Sequence, residues 1–220
     1  MEIFSIDTLT FQPEKIGPQL HIKDLKLINR LSAKVSAVAV PKAVYGVSYV
    51  DEKNADRVVV DGIRLKSRVL YHNLNGIGRV FPFVLTLGPA VDELVHDEKD
   101  MLESYILDQL GNIALRQSRR KLEEHLRNQY ALEKISCMSP GSLADWPIEE
   151  QKPLFELIGP VKEAIGVQLT ELFLMLPRKS VSGIYFPSKV SFFSCQLCPR
   201  EHCDSRKAKY DKQKARQYGL

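Results

Sequence analysis

Three of the four cysteines fall within nine residues, Cys195-Gln196-Leu197-Cys198-Pro199-Arg200-Glu201-His202-Cys203. Thiolates gathered this closely suit soft metal centres. Cys-x2-Cys is a common iron–sulfur spacing, and a [4Fe-4S] cubane takes four such ligands. Zinc is the alternative, held by Cys195, Cys198, Cys203 and either His202 or Cys137. His202 and Cys203 are adjacent, which makes their joint ligation of one ion awkward. A redox dithiol at Cys195 and Cys198 would need the first thiol at a helix N-terminus, where its pKa falls, and Pro199 does not establish that. The remaining reading is four unliganded thiols, with Cys137 a small buried hydrophobe. No general base or nucleophile stands out, and so no catalytic residue is named. His21, His72, His96 and His125 are scattered, none in a Glu-paired metal motif.

The elements that must position these thiols follow from periodicity. Residues 181–186 and 190–194 read as a β-hairpin across Pro187-Ser188-Lys189, delivering Cys195 directly after a strand. A Ser-, Pro- and Gly-rich loop is expected over 135–150, with Asp145 capping a turn at Trp146. Short helices follow over 151–158 and 160–166, and 167–175 is strand-like or mixed. Leu102, Ile106, Leu110, Ile113, Ala114, Leu122 and Leu126 predict a long helix within 91–130. Gly111 inside it implies close packing. Asp108 is expected to brace the helix, and Arg116, Arg119 and Arg120 to cover its solvated face. Upstream, 22–40 reads as a helix, while 43–51 and 57–60 are β-rich, with a turn at Asp61-Gly62. Val80 to Gly88 reads as a strand buried on both faces, irregular at Pro82. Residues 1–17 suggest an edge strand or arm. The whole reads as one α+β domain over 1–220, with the cysteine cluster and a basic tail at 195–220.

Composition narrows the function classes. A chain of 220 residues with 44% hydrophobic content supports an ordinary core. No run approaches eighteen apolar residues, so no membrane partner is expected. The first residues lack a basic-then-apolar signal pattern, which points to the cytoplasm, where structural disulfides are rare. Net charge is +4, and between Arg200 and Arg216 seven basic residues face three acidic ones. That run reads as a solvated tail, or as a dock for an acidic protein or a phosphate-bearing cofactor. Nucleic acid is not expected, since no recognition motif accompanies the charge.

Residues 169–186, Leu-Thr-Glu-Leu-Phe-Leu-Met-Leu-Pro-Arg-Lys-Ser-Val-Ser-Gly-Ile-Tyr-Phe, closely resemble the end of the activation domain of cobalamin-dependent methionine synthase. The loop Ser139-Pro140-Gly141 with Asp145-Trp146-Pro147 and Gln151 resembles that family's S-adenosylmethionine loop. Thr86-Leu87-Gly88, and Leu107-Asp108 with Gly111, resemble the central strand and long helix of its compact, stand-alone relatives. The resemblance covers roughly 57–194. It implies a methionine synthase activation domain-like α+β fold, with a twisted antiparallel sheet and packed helices. It also implies a cofactor site at Ser139, Pro140, Gly141, Ser142, Trp146, Glu171, Ser182, Gly183 and Tyr185. Trp146 reads first as a loop anchor and second as a stacking platform. Glu171 is expected either to tie down its loop or to touch ligand.

The family's function, as the resemblance implies it, is restoration of oxidised cob(II)alamin by one electron and a methyl group from S-adenosylmethionine. The partner expected here is therefore a corrinoid (cobalamin-binding) protein or methyltransferase carrying the cobalamin, with a low-potential electron donor. The chain departs from the family pattern at three points. Cys137 stands where the family has the arginine that grips the ligand, removing a guanidinium fork. Ser142 stands where a tyrosine follows the glycine. Val190-Ser191 displaces an aromatic pair to Phe192-Phe193. The expected function is thus a corrinoid-reactivation accessory that relays an electron through an iron–sulfur cluster held by Cys137, Cys195, Cys198 and Cys203. The alternatives are S-adenosylmethionine-dependent reductive methylation of cob(II)alamin, and a zinc-stabilised structural or assembly subunit of a corrinoid methyltransferase complex.

Overall fold

The computed structural model describes residues 1–220 apart from Ala55, Asp204 and Ser205. Its centre is β6 (Arg79–Thr86), whose residues Val80 to Thr86 are all buried. One edge of β6 pairs antiparallel with β10 (Ser180–Pro187), and β10 in turn pairs with β7 (Ile135–Met138). The other edge is shared. Residues 83–86 pair with β2 (Lys42–Tyr45), and 79–80 with β3 (Ser48–Asn54). Pro82 sits where the partner changes from β2 to β3. Its carbonyl accepts from Gly46 N at 3.0 Å. The missing proline N–H therefore coincides with a gap already present in the ladder. β1 (Glu2–Ser5) flanks β2, while β4 (Arg57–Val60) and β5 (Ile63–Lys66) extend the sheet from β3.

Helices cover both faces. α1 (Pro13–Leu20), α2 (Leu25–Val38) and α4 (Ala90–Asp97) pack with the first half of α5 (Met101–Gln129), through Ile28, Leu31, Val35, Val91, Ile106, Leu107 and Leu110. The second half of α5 lays Leu122 and Leu126 on sheet residues Tyr45, Phe81, Phe83 and Tyr185. Asp100 starts α5 by accepting from Glu103 N at 2.9 Å, satisfying a donor that the first turn leaves free. The opposite sheet face is covered by α3 (Arg68–Asn73), α6 (Gln151–Ile158), α7 (Val161–Ile165) and α8 (Lys212–Gln217), around Val84, Trp146, Leu154, Ile184 and Phe186. β8 (Gln168–Leu169) and β9 (Met175–Leu176) form a small separate hairpin.

The structure corrects several sequence expectations. Residues 135–138 form a strand rather than loop, because β10 offers them a free edge. Residues 190–194 do not return as a hairpin strand, since β10 is already paired on both edges, to β6 and β7. The chain instead crosses beside β7, with Ser188 N donating to Lys134 O and Phe192 N to Ser136 Oγ, and enters a 3-10 turn at Ser194–Leu197. α1, with Pro13 in its first turn, stands where an edge strand or arm was expected, and α3, capped by Ser67, forms where no element was expected. The tail contains α8, capped by Asp211, so it is not wholly irregular. Asp204, one of the three acidic residues of the basic run, lies outside the described residues. Among the described residues, no helix is long and apolar enough to cross a membrane.

Candidate functional site

The residues singled out in the sequence lie around the β7–β10 pair and separate onto its two faces. Side chains of adjacent strand residues alternate. Cys137 and Tyr185, directly opposed in the ladder, therefore join the α5 face, while Met138, Ile184 and Phe186 join the other. Gly183 also points towards α5. A Cβ there would overlap the Met138 carbonyl oxygen and stand 2.8 Å from Ser139 Oγ. Only glycine lets β10 pass beneath the point where β7 turns into the 139–147 loop.

That loop is built by its own hydrogen bonds. Ser142 Oγ and N both donate to Ser139 O, at 2.6 and 3.1 Å, and Gly141 N donates to Trp146 O at 2.7 Å. Gly141 has φ +78°, in the left-handed region that glycine enters without a Cβ penalty. Pro140 is buried, whereas Gly141 and Ser142 are exposed. Trp146 is 0% exposed, packed in the core beside Met138 and Leu154. It anchors the loop, so the cofactor-stacking reading is corrected: no face of the indole is accessible. Asp145 is also reassigned. Rather than capping a turn at Trp146, its carboxylate accepts from Ser67 Oγ at 2.6 Å, Val69 N at 2.9 Å and Arg68 Nε at 3.1 Å. It thereby ties the loop to the start of α3.

Ser182, on the face away from α5, is buried and donates to Gln151 Oε1 at 3.0 Å, while Gln151 Nε2 donates to Phe173 O at 3.0 Å. The hydroxyl is thus committed to a lock holding the β8–β9 hairpin. Glu171 is exposed at the hairpin tip. The tip is tied instead by Thr170, whose Oγ1 accepts from Leu174 N at 3.1 Å.

On the α5 face, Tyr185 is fully buried and stacks on Phe83 with centroids 4.6 Å apart. Its hydroxyl donates to Arg119 O and accepts from Arg119 Nε, both at 3.3 Å. Arg119 was expected on a solvated face, yet it is half-buried, with its guanidinium carbon 5.9 Å from the Tyr185 ring centroid. The signal was present in the sequence, since Arg119 follows Leu115 by four and precedes Leu122 by three. Burial pushes the Cys137 thiol up, and Arg119 only partly offsets this. Further along α5, Lys179 Nζ donates to Asp108 at 2.7 Å and to Asn112 Oδ1 at 2.8 Å. Gly111 makes room for it, as a Cβ there would come 3.0 Å from Lys179 Cε. Asp108 thus anchors Lys179 of the segment entering β10, a partnership that sequence reasoning missed.

The cysteines are not assembled as expected. Cys137 faces α5, while Cys198 packs on the opposite core beside Leu197 and Phe192. Cys195 Sγ accepts from Lys207 N at 3.4 Å, and Cys203 is exposed. Among the described residues, no three His, Cys, Asp or Glu side chains lie close enough to hold a metal ion. The four-thiol set does not fit a cluster in this arrangement, because the strand pairing that orients Cys137 turns it away from Cys198.

The architecture is an antiparallel sheet with a long helix along one face and a glycine-dependent loop where β7 ends. Residues 115–211 match the family model of the vitamin B12 dependent methionine synthase activation domain. A solved structure, the MetH reactivation domain bound to AdoHcy, is similar with a TM-score of 0.60 and 20% identity, covering 85% of this chain and 70% of that one. Comparison with curated proteins gives no match. Residues 115–211, somewhat under half of the chain, are thus similar in sequence to that activation domain, and the fold is similar over most of the chain.

Proposed function

We propose that this chain takes part in reductive reactivation of a corrinoid protein, binding S-adenosylmethionine on the α5 face beside β7 and β10 and presenting its methyl group to cobalamin carried by a partner. The observation that carries this reading is the extent of the family match. Residues 115–211 take in the second half of α5, β7, the 139–147 loop and β10, which are the elements that enclose this face. The similar solved domain holds AdoHcy, the thioether left when the sulfonium of S-adenosylmethionine loses its methyl group. The chemistry balances with one external electron. Cob(II)alamin takes it to become cob(I)alamin, whose cobalt then supplies the electron pair of the new Co–C bond. The S–CH3 bond breaks with its pair remaining on sulfur. The donor of that electron is a low-potential partner.

The test is to reduce hydroxocobalamin with titanium(III) citrate in the presence of S-adenosylmethionine, with and without the chain, and to quantify methylcobalamin by chromatography. Calorimetric titration with S-adenosylmethionine accompanies it. The expected result is accelerated methylcobalamin formation together with saturable binding. Absence of both acceleration and binding would overturn the reading.

A second reading keeps a metal at the C-terminal cysteines, favoured by Cys195, Cys198 and Cys203 falling within nine residues. The thiols do not converge in this conformation. Metal binding would have to be coupled to refolding of residues 198–207, as it is in small metal-dependent modules. Iron, sulfide and zinc analysis of anaerobically purified protein, with visible absorption, decides it. A stoichiometric metal lost in Cys198→Ser supports this reading, and metal-free folded protein sinks it.

A further inference from the structure

We propose that Arg119, flanked by Lys207, forms an anion-binding end of the ligand site and takes the carboxylate of the bound amino-acid moiety. This rests on the S-adenosylmethionine reading above and names the residues that would hold one end of that ligand.

Positive charge is concentrated around Arg119. Arg116, Arg119 and Arg120 fall within five residues of α5, and Lys207, whose backbone N–H is fixed on Cys195 Sγ, comes near Arg119 and Arg120 from the C-terminal segment. Burial lowers the Lys207 ammonium, and repulsion from Arg119 lowers it further. Repulsion from Arg120 likewise adds to the burial that lowers Arg116. Glu123, one turn beyond Arg119, also faces the group. Among the described residues, however, none of these four cations comes within salt-bridge distance of a carboxylate. The Cys137 thiol, held neutral by burial, does not supply the missing charge. Arg116, Arg120 and Lys207 are exposed, but Arg119 is half-buried; a half-buried cation without a counterion is costly, and an anionic ligand removes that cost.

The geometry then selects the kind of anion. Tyr185 is locked between Phe83 and α5, and its hydroxyl is bonded twice to Arg119, through Nε and through the carbonyl. That fixes the guanidinium plane beside the Cys137 thiol and leaves the Nη groups with no carboxylate among the described residues. A planar fork held rigid at one edge matches the two oxygens of a carboxylate.

Calorimetry with S-adenosylmethionine and with decarboxylated S-adenosylmethionine, on wild type, Arg119→Lys and Arg119→Ala, tests this. The wild type should prefer the carboxylate-bearing ligand by roughly ten- to hundred-fold. Arg119→Ala should reduce that preference to about twofold or less by weakening only S-adenosylmethionine, and Arg119→Lys should fall between. Lys207→Ala should give a smaller loss of the same kind. If wild type binds S-adenosylmethionine and Arg119→Ala weakens both ligands equally, Arg119 acts through structure alone and this assignment fails while the functional reading stands. If wild type binds neither ligand, the functional reading fails and takes this one with it.

Discussion

Gly183 and Asp145 are the residues where one side chain decides the local architecture. Gly183→Ala would drive a Cβ into the Met138 carbonyl, which belongs to the backbone and cannot swing aside. Loss of about 2–4 kcal/mol is expected, read as a lower urea midpoint with the β7–β10 amides exchanging first. Asp145→Ala leaves Val69 N and the Ser67 hydroxyl without their acceptor at a carboxylate whose side chain is only 4% exposed. About 2–4 kcal/mol should be lost in the same assay. The first effect was not legible in the sequence, where Gly183 stood only as an implied cofactor-site residue, because the close neighbour is the Met138 carbonyl, 45 residues away. Nor was the second, because Asp145 and Ser67 lie 78 residues apart and nothing local links them. Cys137 was legible as an oddity where a family arginine is expected. That Arg119 reaches the same strand from α5 depends on how the helix lies across the sheet.

At the scale of elements, β1 and the β8–β9 hairpin are each tied down by polar side-chain contacts. β1 is fastened through Glu2, which accepts from Tyr45 OH at 2.7 Å and Tyr130 OH at 3.2 Å, with Phe4 stacked on His125 at 4.1 Å. Donation from Tyr45 holds the Glu2 carboxyl below its usual value. A carboxyl depressed in the folded state stabilises above its unfolded pKa, near 4.5, and loses that contribution as pH falls below it. Wild type should therefore release β1 as acid is added below about pH 4.5. Glu2→Gln should flatten that limb, measured by hydrogen exchange at Ile3 and Val44 against pH. The β8–β9 hairpin depends in the same way on Gln151. Gln151→Leu leaves Ser182 Oγ and Phe173 O unpaired and should cost about 1–3 kcal/mol, with Phe173 and Leu174 amides losing protection.

For the whole molecule, the decisive feature is that one sheet separates two chemistries. The α5 face carries Cys137, Tyr185, Arg119 and Lys179. The opposite face carries Trp146, Gln151 and Cys198. A ligand on the α5 face and the Cys198 thiol would therefore be independent, whereas Cys195, which accepts from Lys207 N, borders the ligand side. Removing Cys198 should leave S-adenosylmethionine affinity within about twofold of wild type, whereas Arg119→Ala should not, with calorimetry reading both.

Periodicity and composition determined the α+β class, the long helix, the buried central strand and the turn at Asp61-Gly62. Each rests on local propensity or on a hydrophobic repeat written in consecutive residues. Resemblance added the family, from the segment 169–186. Tertiary structure alone decided that 135–138 pairs as a strand, that 190–194 cannot, and that Trp146 is core. It also decided that Cys137 and Cys198 face apart and that Arg119 lies against Tyr185. Strand pairing fixes which way each side chain points, and a strand's partner is chosen by whichever edges the rest of the chain leaves free.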